Sequence, residues 1–130
     1  MAWNAFFKKI LGGDPDNGTD VADAISRPNP NARNENLSGS AFKKQLKETP
    51  KAVLLDVRTA SEFSSGTIPG ALNMDILSPK FANSVGQLDK DATYFIFCRS
   101  GNRSGQACRI MHQKGYDVRN LADGIGAYPF

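Results

Sequence analysis

Two short apolar runs stand out against an otherwise mixed chain. "KAVLLDVR" at 51–58, an apolar run bounded by charge, and "ATYFIF" at 92–97 bear the mark of buried strands. "YDVRNL" at 116–121 predicts a final strand, and residues 72–75 a short extended piece after the turn "IPGA". Between these runs the spacing turns helical. "LSGSAFKKQL" offers Ser38 as an N-cap, with Leu37 and Phe42 placed as a hydrophobic staple, and "TASEF" sets Thr59 and Glu62 as a capping box. "SPKFANSVGQL" predicts a helix capped by Ser78 with Pro79 at its first position. A last helix begins near Ser104, carries Ala107, Ile110 and Met111 on one side, and stops at Gly115. Strands alternating with helices predict an α/β domain with a central parallel sheet flanked by helices. Ligands of such sheets sit beyond the carboxyl ends of the strands.

The first third of the chain reads differently. Trp3, Phe6, Phe7, Ile10 and Leu11 line one face of a short amphipathic helix over residues 1–13, which Gly12 and Gly13 end. Residues 3–11 thereby offer an anchor for a membrane surface or a partner protein. So short a helix is marginal alone, which favours packing on the domain or on a second copy. Residues 14–36, rich in Asp, Asn, Pro and Gly, read as a linker or arm, leaving 37–130 as the domain.

Composition narrows the class. The chain has 130 residues, 40% hydrophobic and 22% charged, enough for one packed core. Its net charge of +3 is scattered, with no basic patch interleaved with aromatics, so nucleic acid is not the expected partner. Zinc-type Cys/His pairs are missing, and no metal or cofactor is expected. Two cysteines, Cys98 and Cys108, suit a reducing compartment in which thiols stay free. Lys8 and Lys9 interrupt the N-terminal apolar stretch, which makes it a poor signal peptide, and no segment approaches the roughly 20 apolar residues that span a bilayer. The expected location is the cytoplasm.

The candidate chemistry lies at two strand ends. Asp56 and Arg58 follow "VLL", and Cys98 follows "YFIF", so they are expected at one edge of the sheet. A cysteine is nucleophilic as its thiolate, which helix N-termini and nearby cations stabilise. The loop Cys98, Arg99, Ser100, Gly101, Asn102, Arg103, Ser104 supplies both. Gly101 permits a sharp turn and Asn102 tolerates a left-handed conformation, so successive N–H groups could converge as an anion-binding nest around the sulfur. Arg99 and Arg103 add positive charge for an incoming anion.

"LLDVRTASEFSSGTIPGALNM", "YFIFCRSGNRSGQA" and "GYDVRNLADGI" together resemble a single-domain rhodanese, a sulfurtransferase, over residues 37–128. The resemblance implies a small α/β domain around a parallel sheet, with Cys98 as a nucleophile that cycles through a persulfide. It also matches residues 99–104 to the active-site loop, and Asp56 and Arg58 to a supporting "DVR" nearby. A small anionic sulfur donor such as thiosulfate and an acceptor such as cyanide, a thiol or a protein cysteine are the implied partners. Within that division Arg99 is expected to meet the donor, and Arg103 to bridge to Asp56 or another carboxylate. Two departures stand out. Thr67 replaces the histidine usual in G-H-I-P-G-A, and "DGIGAY" has Asp123 where a second glycine and Tyr128 where tryptophan are usual.

Two rival functions share these residues. A phosphatase or arsenate reductase also sets a Cys and an Arg around an anion nest, but with C-x5-R spacing where Cys98 to Arg103 is C-x4-R, a ring better suited to a single sulfur. A non-catalytic binding module of the same fold often loses the cysteine that this chain keeps. Cys108 is expected to be a small buried hydrophobe rather than a resolving thiol, and Arg109 and His112 to be surface residues. Asp75, Asp89, Lys90 and Asp91 read as loop and cap residues.

Overall fold

The computed structural model describes residues 28–130. The helix read at 1–13, with its apolar face, and most of the 14–36 arm lie outside the described residues. The elements run β1 (Asn34–Leu37), α1 (Gly39–Glu48), β2 (Ala52–Asp56), α2 (Ala60–Ser64), β3 (Leu72–Asn73), α3 (Phe81–Val85), β4 (Thr93–Phe97), α4 (Asn102–Gln113) and β5 (Asp117–Leu121), closing in a 3-10 turn, Ile125–Ala127. The strands form one sheet of order β1-β5-β4-β2-β3, every pair parallel. The expected α/β class holds.

The apolar runs form the centre of this sheet. Every residue of β4 is buried, and its alternation splits the core in two. Tyr94, Ile96 and Cys98 join Ala107, Cys108 and Met111 of α4 and Phe81 and Val85 of α3 on one face. Phe95 and Phe97 join Leu37, Phe42 and Leu121 on the other, where the Phe42 and Phe95 rings meet edge to face at 5.4 Å. Strand period alone thus carries Cys98 onto the face that α4 covers.

Local signals locate the helices. Ser38 Oγ accepts from the Ala41 N–H at the start of α1, and Leu37 and Phe42 share one core cluster as a staple should. The Thr59–Glu62 capping box at α2 is complete in both directions.

Two elements differ from expectation. Residues 34–36, read as arm, belong to β1, which pairs with β5 from Asn34↔Val118 to Leu37↔Leu121. "NENL" is an edge strand with only its last residue buried, so it has no apolar run to announce it. The helix expected from Pro79 starts instead at Phe81, with Lys80 at its N-cap. The Phe81 N–H bonds to the Ser78 carbonyl three residues back, so the first turn is too tight to be α-helical, while Ser78 Oγ accepts from the Lys80 N–H.

Candidate active site

The sheet register sets two strand ends beside each other. Asp56 of β2 is the partner of Phe97 of β4, and the Val57 N–H reaches the Phe97 carbonyl at 3.1 Å. Cys98 is the next residue, fully buried, and only three residues separate it from α4. Gly101 makes that short connection with φ 96°, a left-handed conformation that favours glycine. Asn102 does not share the left-handed turn, as the sequence suggested it could. It is the first residue of α4, which therefore begins two positions earlier than expected.

This early start aims the first turn of the helix at the sulfur. The N–H groups of Gly101 and Ser104 lie 3.1 and 3.3 Å from Cys98 Sγ, and Ser104 Oγ lies 3.3 Å from it. Burial pushes the Cys98 thiol up. Hydrogen bonds from the Ser104 hydroxyl and from the Ser104, Ser100 and Gly101 N–H groups outweigh it, leaving the thiol below its ordinary value. The loop is thus a ring of donors closed on one sulfur atom. Arg99, Ser100 and Asn102 are exposed around it, and Ser104 is buried.

The three arginines divide sharply. Arg58 is buried and forked onto the fully buried Asp56, with Nε 3.0 Å from Oδ1 and Nη2 2.7 Å from Oδ2. Its Nη2 also donates to the Gly66 carbonyl at 2.6 Å. Asp56 Oδ2 accepts further from the Thr67 hydroxyl at 2.9 Å, so Thr67 completes this buried knot with its own side chain. Asp56 and Arg58 therefore brace the strand end beneath the loop and make no hydrogen bond to the sulfur.

Arg103 is held elsewhere. It forms a two-pronged pair with Glu62 of α2, Nη1 to Oε1 at 2.7 Å and Nη2 to Oε2 at 3.0 Å. Arg103 thus bridges to a carboxylate as expected, but to Glu62 rather than Asp56. The Arg103 hydrogen bond, opposed by burial and reinforced by Thr59, holds the Glu62 carboxyl down at about 2. The Glu62 bond and, more weakly, the charge of Cys98 keep the Arg103 guanidinium firmly protonated. Only Arg99 of the three makes no ion pair among the described residues.

Sequence reasoning saw Glu62 as a cap alone. Its second role could have been found only by asking what a capping carboxylate has left to bind once α2 packs against the loop. Cys108 is buried as expected, and burial pushes its thiol up to about 12. Arg109 and His112 are exposed, as the sequence suggested.

Known proteins resemble this chain in sequence and in fold. A family model described as a rhodanese-like domain matches residues 39–128. The chain is 37% identical over 94 residues to a sulfurtransferase of Allochromatium vinosum, covering 71% of this chain and 85% of the relative. It is 29% identical over 85 residues to the thiosulfate sulfurtransferase GlpE of Shewanella oneidensis, covering 65% and 82%. Among solved structures, the rhodanese-like domain protein of Staphylococcus aureus superposes with a TM-score of 0.64 at 26% identity, over 72% of this chain and 90% of that one.

Proposed function

The chain belongs to the rhodanese-like domain family, and on that premise we propose that it transfers a sulfane sulfur through a persulfide on Cys98. The observation that carries this reading is the ring of donors on Sγ from Ser100, Gly101 and Ser104. Its donors favour a sulfur anion. The Cys98 thiolate attacks the outer sulfur of the donor. With thiosulfate, the donor's S–S bond breaks, sulfite leaves with the electron pair, and Cys98 carries a terminal sulfur anion. An acceptor thiolate or cyanide then attacks that terminal sulfur and Cys98 leaves as the thiolate. The two half-reactions balance without an external oxidant and follow a ping-pong course.

The donor is small and anionic. Thiosulfate is the type we test, since it names the substrate of the Shewanella relative. The acceptor is a thiol or a protein cysteine. Arg99 and Ser100 are exposed beside the buried Cys98, and Arg99 binds the donor's charge. A nucleophilic thiol is best kept free in a reducing compartment, and the cytoplasm is the location we propose.

Steady-state kinetics with thiosulfate and cyanide test the arrangement. Parallel double-reciprocal lines are expected, and Arg99→Ala is expected to raise the KM for thiosulfate about tenfold with kcat within about twofold. Intersecting lines would contradict the persulfide intermediate, and an unchanged KM would remove Arg99 from the donor site.

A further inference from the structure

The cysteine loop has a second wall that the chemistry above does not use. Behind it runs the chain that leaves β5, residues 120–125, and it touches the loop at each residue from Cys98 to Gly101. The Ile125 N–H donates to the Cys98 carbonyl at 2.9 Å. Gly124 lies against the next peptide. A Cβ there would stand 1.9 Å from the Arg99 carbonyl oxygen and 2.7 Å from the Ser100 nitrogen. The Ala122 carbonyl oxygen lies where a Cβ on Gly101 would be, 1.9 Å away. Asn120, buried in β5, donates through Nδ2 to the Gly101 carbonyl at 3.4 Å and to Asn36 Oδ1 of β1 at 2.8 Å.

These contacts share one consequence. Gly124 presses on the Arg99–Ser100 peptide, whose N–H is on Ser100. Asn120 holds the Gly101 carbonyl, which belongs to the next peptide but shares the Gly101 Cα with the N–H that faces the sulfur. A peptide plane is rigid, so displacing the Arg99 carbonyl turns the Ser100 N–H with it. Gly124 has φ 82°, where glycine is favoured in any case, but the close approach is a separate demand that the left-handed turn does not explain. The neighbouring Gly126 lacks both features: its φ is ordinary and a Cβ there meets nothing within 4 Å.

We propose that Gly124 and Asn120 are positioning residues for sulfur transfer, Gly124 acting through the Arg99–Ser100 peptide and Asn120 through the Gly101 carbonyl and Cα, so that the Ser100 and Gly101 N–H groups stay on Cys98 Sγ. The proposal rests on Cys98 as the nucleophile, and it assigns a functional role to two positions distant from the substrate side of the loop. Side-chain bulk at Gly124 turns a donor off the sulfur, and loss of the Asn120 amide frees the Gly101 carbonyl and lets the Gly101 Cα, with the N–H it carries, drift.

The test is the rate of Cys98 alkylation by iodoacetamide as a function of pH, read by intact mass on the full chain. This measures the thiolate without requiring sulfur transfer. Gly124→Ala and Asn120→Ala are expected to move the alkylation midpoint upward and slow the reaction at neutral pH about tenfold, while Gly126→Ala leaves the profile of the parent. Circular dichroism identifies the folded variants, and Asn120→Ala carries the test if Gly124→Ala does not fold. A folded Asn120→Ala with the parental profile would overturn the proposal, as would Gly126→Ala shifting as far as Gly124→Ala. Persulfide formation by the parent alongside an unshifted Asn120→Ala would sink this inference and leave the sulfurtransferase reading standing.

Discussion

At Cys98 two effects oppose each other, and their balance decides whether the residue is a nucleophile. Burial disfavours the thiolate, while three N–H groups and the Ser104 hydroxyl favour it and win. Cys108, also buried but without that ring, has burial as its leading effect and is pushed up to about 12. Two thiols of similar exposure are thus shifted in opposite directions because of their donors. Selective labelling should show it. Iodoacetamide is expected to modify Cys98 and spare Cys108 in the native protein at mildly alkaline pH, with peptide mapping as the readout. Ser104→Ala removes the hydroxyl but keeps the N–H, so the midpoint for Cys98 should rise and labelling at neutral pH slow several-fold. Equal labelling of both cysteines, or an unmoved midpoint, would refute the account of the ring. The cysteine and its loop were legible in the sequence because a strand end, a glycine and a helix start are all local features. The direction of Arg103 was not, since choosing between Asp56 and Glu62 depends on how α2 packs against the loop.

The short helix α2 links folding to the site. Glu62 completes the Thr59 capping box and also grips Arg103 of the loop, so one carboxylate serves a helix end and a tertiary contact. Its folded value of about 2 lies below the ordinary 4.5. A carboxyl depressed on folding contributes stability above its unfolded value and loses it as pH falls toward its folded value. Stability measured by urea unfolding is therefore expected to decline from about pH 4.5 to about pH 2, and Glu62→Gln should flatten part of that decline. An identical pH dependence in the variant would show that the pair contributes nothing. Elements with such local signatures were readable in the sequence: the staple at α1, the box at α2 and the apolar runs of β2 and β4. Strand β1 was not, because an exposed edge strand such as "NENL" carries no period and is defined by its partner, β5. Helix α3 lost its expected first turn because Ser78 closes a tight turn on Phe81, a choice between two hydrogen-bond partners that residue types alone do not settle.

Over the whole molecule, the parallel sheet is what makes the site. It brings the ends of β2 and β4 to one edge, orients Cys98 by strand alternation, and lets α4 start at the sulfur. Beneath them the buried Asp56–Arg58 knot resists disruption, because removing one partner of such a pair strands the other charge at a cost of about 3 kcal/mol or more. Arg58 is therefore fixed structure and Arg103 is tied to Glu62, while Arg99 makes no ion pair among the described residues. On the opposite wall, residues 120–125 close the loop from behind. The central claim is that this assembly exists to carry a sulfur atom on Cys98. Intact-mass spectrometry of the full chain after thiosulfate, beside Cys98→Ser, tests it most directly. The account predicts a gain of one sulfur atom in the parent, none in the variant, and its loss on adding cyanide. Failure of Cys98 to take up sulfur from thiosulfate or any other sulfane donor, or sulfur retained by the Cys98→Ser variant, would contradict it.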